Sequence, residues 1–206
     1  MGYKTIKDFA KAEFIEKKSR FIGHIMPVKT EKDATEFIQK ISKEHYSATH
    51  NVYAYVLREG QKARFSDNGE PQGTAGVPVL DVIQKEGLTD VCVVVTRYFG
   101  GIMLGAGGLV RAYSHSAKIA VDAASILNMQ DCTEFLVDCD YSSYGKIKKL
   151  FEKYNVTEKE SDFQEIIRLT LIIKSEQFCA FETDLTELSN GKLKTYNPKN
   201  IFFDIK

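Results

Sequence analysis

VCVVVTRYFGGIMLGAGGLVRAYSHSA, residues 91–117, runs from a strand through a glycine loop into a helix. Val91, Cys92, Val93, Val94 and Val95 form an unbroken apolar, mostly β-branched run, the composition of a strand buried on both faces. Gly100, Gly101, Gly105, Gly107 and Gly108 follow, a dense share of the chain's 14 glycines. Glycine reaches positive φ without steric cost and lets a backbone or a ligand come close. A helical pattern resumes at Leu109, with Ala112, Ala117, Ala120 and Ala124 giving a smooth packing surface. Strand, glycine loop and helix start together make an anion-binding geometry, because unpaired N–H groups and the helix dipole point the same way. Arg97 before the loop and Arg111 after it add positive charge at that mouth. The spacing is not that of a P-loop, since no Gly-Lys-Ser/Thr follows. It is not GxGxxG either, since Val110 stands where the third glycine belongs. Tight packing of the loop on a neighbouring strand is the competing account of these glycines.

A second unusual stretch lies upstream: SDNGEPQGTAGVP, residues 66–78. It has turn chemistry throughout and reads as a loop feeding a helix from Gly73 or Thr74 to Glu86. Asp67, Asn68 and Glu70 lack the alternating spacing and distal glutamate of a calcium loop, so no metal site is read here. Two glycine-rich helix starts facing one groove strengthen the binding reading. The candidate anion or nucleic-acid contacts are therefore Asp67, Glu70, Gly73 and Thr74 on one side. On the other are Arg97, Gly100, Gly101, Gly105, Gly107, Gly108 and Arg111.

Working outward, residues 19–28 read as a strand, with Lys17, Lys18 and Arg20 as a solvated basic end. Ala34, Phe37, Ile38 and Ile41 mark a helix over 31–45 with Thr30 as N-cap. Residues 51–57 alternate as a strand, and Arg64 and Phe65 close its hairpin partner. The chain changes character at 128–131, where a linker is expected, and a strand is predicted over 133–140. Tyr144, Ile147, Leu150, Phe151 and Tyr154 form a helical stripe. Residues 155–161 and 164–174 read as paired strands. Phe178 to Leu188 is a second helix, stopped by Asn190-Gly191. Strands around 192–196 and 201–205 finish the chain. The order βαββαβ is that of a ferredoxin-like split domain.

Composition excludes several classes. The chain has 206 residues, 43% hydrophobic and 27% charged, with 28 basic and 28 acidic residues, an ordinary globular make-up. No polybasic module is present, so nucleic-acid binding must come from a local patch. Cys92, Cys132, Cys139 and Cys179 form no CxxC pair, which argues against zinc and a disulfide framework. With no apolar leader and no run long enough to span a bilayer, a cytoplasmic protein without membrane contact is expected. His24, His45, His50 and His115 are scattered, and neither HExxH nor GxSxG occurs, so no catalytic residue and no cofactor are assigned.

The two glycine-rich blocks, with KKSRFIGHI at 17–25 and ATHNVYAYVL at 48–57, resemble the YigZ/Impact family, closely over residues 18–125. Over the last seventy or so residues the resemblance is in element order, and bacterial members carry such a second domain. The resemblance implies an α+β chain of two domains. Residues 1–131 would be an α/β domain of the kind seen in a small-subunit ribosomal protein and in translocation factors. Residues 132–206 would be ferredoxin-like, similar to the last domain of elongation factor G. It also implies a link to translation: eukaryotic Impact relatives compete for the activator of a starvation-responsive kinase, and bacterial members are described as nucleic-acid- or ribosome-associated. The eukaryotic partner is not carried over, because this two-domain form lacks the Impact-type RWD module. Some bacterial relatives are labelled proline dipeptidases; the absence of clustered His, Asp and Glu ligands argues against that here. The expectation is a translation-associated regulator that binds RNA or the ribosome through the glycine loops. The alternative is an enzyme or binding protein for a small phosphorylated ligand at the same loops. The sequence does not reveal the oligomeric state.

Overall fold

The structure, a computed structural model, describes residues 2–205. The chain divides into two compact units, one of Tyr3–Leu127 and one of the residues from Asn128 onward together with Gly2.

In the first unit the order is β1 (Tyr3–Ile6), β2 (Ala10–Glu16), β3 (Ser19–Pro27), α1 (Glu31–Glu44), β4 (His50–Leu57), β5 (Lys62–Ser66), α2 (Gly76–Lys85), β6 (Val91–Tyr98) and α3 (Ala106–Asp122). A fully antiparallel sheet has the order β2-β3-β6-β4-β5. The valine run is its central strand. Val91, Val93 and Val95 point into a core shared with Val79 and Ile83 of α2 and Leu109, Tyr113 and Ala117 of α3. Cys92 and Val94 point the other way, against Ala34, Phe37 and Ile41 of α1. Helix α1 begins where Thr30 caps it: the Thr30 hydroxyl accepts from Asp33 N–H, and Asp33 Oδ2 accepts from Thr30 N–H. Helix α3 lies so close to β3 that a Cβ on Gly23 would stand 2.3 Å from the Ser116 carbonyl oxygen.

The second unit follows the order β7 (Ile126–Cys139), α4 (Tyr141–Tyr154), β8 (Thr157–Phe163), β9 (Ile167–Lys174), α5 (Phe178–Leu188) and β10 (Thr195–Asp204). Within it the strands are arranged β10-β7-β9-β8, all antiparallel. Phe135 and Val137 of β7 and Leu169 and Leu171 of β9 face Ile147 of α4 and Phe181 and Leu185 of α5. Asp140 caps the start of α4, and Asn155, in the left-handed region, closes its end.

Several expectations need correction. β1 and β2 precede the first predicted strand, and Lys17 and Lys18, both at positive φ, form the turn between β2 and β3. Helix α2 begins at Gly76 rather than at Gly73 or Thr74. The expected linker at 128–131 is strand, because β7 starts at Ile126 and continues to Cys139 without a break. The two C-terminal strands are one, bent where the register shifts between Tyr196 and Lys199 and Asn197 takes φ 53°. Cys92, Cys132 and Cys139 are buried and Cys179 is exposed; burial pushes the Cys92 thiol well above its ordinary pKa. Among the described residues no helix is long and apolar enough to cross a membrane.

Candidate functional site

The two glycine-rich stretches reach the same end of the first unit, but their charges are used differently. Arg97, at the end of β6, is only 5% exposed. Its Nη1 donates to Glu70 Oε1 at 2.6 Å, and the Tyr113 hydroxyl of α3 donates to the same oxygen at 2.7 Å. Arg97 Nη2 reaches Ser19 Oγ at 3.5 Å, while its buried Nε has no acceptor among the described residues. The guanidinium lies 5.4 Å from the ring centres of both Phe21 and Phe99. Burial, and then the bond to Glu70, push the Tyr113 hydroxyl far above its usual pKa. His50 completes the cluster. Its Nδ1 lies 2.8 Å from the Asn68 carbonyl, which can only accept, so Nδ1 carries the proton and Nε2 faces Glu70 Oε1 at 3.8 Å. A buried Arg–Glu pair fixed in this way ties loop 66–75, β6 and α3 together. Arg97 is therefore not on the rim of a groove.

The start of α2 is likewise closed. Asp67 Oδ1 accepts from the N–H groups of Ala75 and Gly76 at 3.1 and 2.8 Å, and Oδ2 accepts from Gly73 at 2.9 Å. The protein's own carboxylate occupies the place an external anion would take. Burial raises the Asp67 pKa, but the N–H groups of Gly73, Gly76 and Ala75 outweigh it and hold the carboxyl below the usual range. Thr74 is buried and donates to the Pro71 carbonyl at 2.7 Å. Asp67, Glu70, Gly73 and Thr74 thus build the loop.

The start of α3 is open. No side chain caps it, and its first helical bond runs from Leu109 N–H to the Gly105 carbonyl. The N–H groups of Ala106, Gly107 and Gly108 precede that ladder, and Gly105, Ala106 and Gly107 are exposed. The loop glycines do not share one cause. A Cβ on Gly100 would stand 2.0 Å from the Lys18 carbonyl, a packing requirement. At Gly107 nothing lies within 4 Å of a Cβ, and its backbone is helical, so the fold makes no demand for glycine there. Gly101 and Gly105 take positive φ at open positions, and a Cβ on Gly108 would touch Leu104.

Beside this helix start lies a cleft of about 350 Å³ lined by Phe14, Glu16, Lys17, Leu104, Gly108, Arg111, Ala112 and His115. Arg111 and Lys17 are exposed, with no ion-pair partner among the described residues. His115 meets the Phe14 ring edge-on at 4.6 Å. Of the two expected arginines, then, Arg111 borders the open end of α3 and Arg97 does not. The sequence reading missed Tyr113, His50, Ser19, Lys17 and His115. Only the KK pair at the β2–β3 turn was visible as a local signal.

Residues 17–121 match the Impact N-terminal domain. The chain belongs to the IMPACT family. A second match covers residues 137–192, to a domain of unknown function, DUF1949. The IMPACT family member YvyE of Bacillus subtilis is 44% identical over 194 residues, covering 93% of this chain and 88% of that protein. Protein IMPACT of Homo sapiens is 35% identical over 94 residues, 44% of this chain and 29% of the human protein. A crystal structure described as that of a hypothetical protein aligns with a TM-score of 0.61 at 30% identity, covering 94% of this chain and 96% of that one. The IMPACT chain is thus a mixed α/β protein of two family domains.

Proposed function

We propose that this IMPACT family protein is a translation-associated regulator that contacts RNA or the ribosome through the open start of α3. The observation that carries the reading is the uncapped first turn at Gly105–Gly108, whose Gly107 has nothing to pack against. Helix N-termini of this kind bind phosphate through free N–H groups and the dipole. Lys17 and Arg111 beside it supply the long-range attraction, against one carboxylate, Glu16. A local patch of this size suits a chain with no net charge better than a broad basic face does. The sheet order β10-β7-β9-β8 over βαββαβ elements supports a ferredoxin-like second domain. The link to translation rests on membership of the IMPACT family.

Filter binding of single-stranded RNA at several salt concentrations tests the proposal. Arg111→Ala should weaken binding at low salt and reduce the log–log salt slope by about one if it meets one phosphate. Lys17→Ala should do the same, and Arg97→Ala should alter stability instead. Wild-type protein with no salt-dependent affinity for RNA or ribosomes would overturn the proposal. Saturable binding of a small phosphorylated compound at the same cleft would then favour the small-ligand reading.

A further inference from the structure

A second cleft lies on the opposite face of the five-stranded sheet, away from the start of α3. Helix α1 covers β4 and β6, and between it and the β2–β3 edge remains a groove of about 570 Å³, within the range of small-molecule sites. Its walls include Phe9, Met26, Val28, Phe37 and Ile41. Phe9 and Phe37 meet edge to face with ring centres 6.2 Å apart.

One polar side chain in this groove is unaccounted for. His24 lines it and is 2% exposed. Its Nδ1 lies 3.2 Å from the Val94 carbonyl on β6. A carbonyl only accepts, so Nδ1 carries the proton and Nε2 is a bare lone pair. Burial lowers the His24 pKa to about 4, with the Val94 bond opposing and His45 assisting, so the ring is neutral near pH 7. The His24 ring lies 5.1 Å from the His45 ring and 6.3 Å, stacked, from the Phe9 ring, centre to centre. Nε2 has no hydrogen-bond partner among the described residues. It is not among the fully buried polar atoms left without a partner, so its lone pair is accessible where His24 lines the groove.

The charged groups at the mouth select neither sign. Lys11 and Lys40 stand against Asp33, Glu36 and Glu44. Asp33 is held by the N–H groups of Lys29 and Thr30, Glu36 lies 3.8 Å from Lys32, and Glu44 lies 3.8 Å from His45 Nε2. What remains is an apolar floor with one acceptor waiting for a donor. We propose that this groove binds a small, uncharged aromatic or heteroaromatic compound that lies against Phe9 and Phe37 and donates one hydrogen bond to His24 Nε2.

Indole and 1-methylindole form a matched pair of probes, alike in shape and differing in the donor. The ¹⁵N resonance of His24 Nε2 in the wild-type chain should shift saturably with indole. Indole should bind about tenfold more tightly than 1-methylindole, the size of one net hydrogen bond. His24→Phe should erase that preference while leaving RNA binding at α3 as it was. No saturable shift up to the solubility limit of indole, or equal affinity for both probes in wild type, overturns the proposal. Should His24→Phe fail to fold, the wild-type resonance and the probe comparison decide the matter alone.

Discussion

Arg97 gives its charge to Glu70 inside the first unit, whereas Arg111 faces solvent beside Lys17. Removing one partner of a buried ion pair leaves the other uncompensated, so Glu70→Ala should cost roughly 3–5 kcal/mol in urea unfolding. A loss below about 1 kcal/mol would show that the pair is not buried as described. Nothing local in the sequence distinguishes the two arginines, because Glu70 and Tyr113 meet Arg97 only through the tertiary fold. Asp67 permits a sharper test. Its folded-state pKa lies below the unfolded value of about 3.9, so it stabilises the fold above that pH, and the contribution is lost as pH falls through the lowered value. Asp67→Ala should lower stability by about 1–2 kcal/mol at pH 7. The gap from wild type should narrow in melts below about pH 4. A gap independent of pH would mean that the charge of Asp67 is not what closes α2.

At the scale of elements, the glycine loop divides into a packed part and an open part. Gly100→Ala forces a Cβ onto the Lys18 carbonyl and should lower the melting temperature sharply. Gly107→Ala meets open space in a helical turn and should leave the melting temperature equal or higher, since alanine favours helix over glycine by about 0.5–1 kcal/mol. Similar losses in both variants would remove the distinction on which the open helix start depends. These glycines cannot be sorted from their local spacing, because the deciding neighbour of Gly100, Lys18, comes from the β2–β3 turn. Elements with strong periodicity were legible: α1, α4, α5 and the valine strand stand where their apolar spacing puts them. β1 and β2 were not, since AKAEFIE mixes lysine, glutamate and apolar residues on a half-exposed strand at the sheet edge. The sequence pattern separates strands around 192–196 and 201–205, but the residues between them keep pairing with β7 around a bulge.

Across the whole molecule, the place where the two units divide is not a loop. Leu127 and Asn128, on either side of the division, are consecutive residues of β7. Met129, Gln130 and Asp131 pair with Asp204, Phe203 and Phe202 of β10. Limited proteolysis should therefore spare 128–131, because cleavage needs a backbone that can leave its ladder. Chymotrypsin should cut first in the loop between β6 and α3, where Phe99 and Met103 are 47% and 85% exposed. Early cleavage at Leu127 or Met129 would contradict the continuous strand.

That continuity also restricts how the gene can be divided and rejoined. A cut after codon 131, where the sequence pattern invites it, assigns Met129, Gln130 and Asp131 to one fragment and their β10 partners to the other. The downstream fragment would then expose an edge able to template strand addition by another copy, and the upstream one would end in a frayed tail. Recombination that exchanges these domains must carry β7 whole, since its ladders with β9 and β10 run along it.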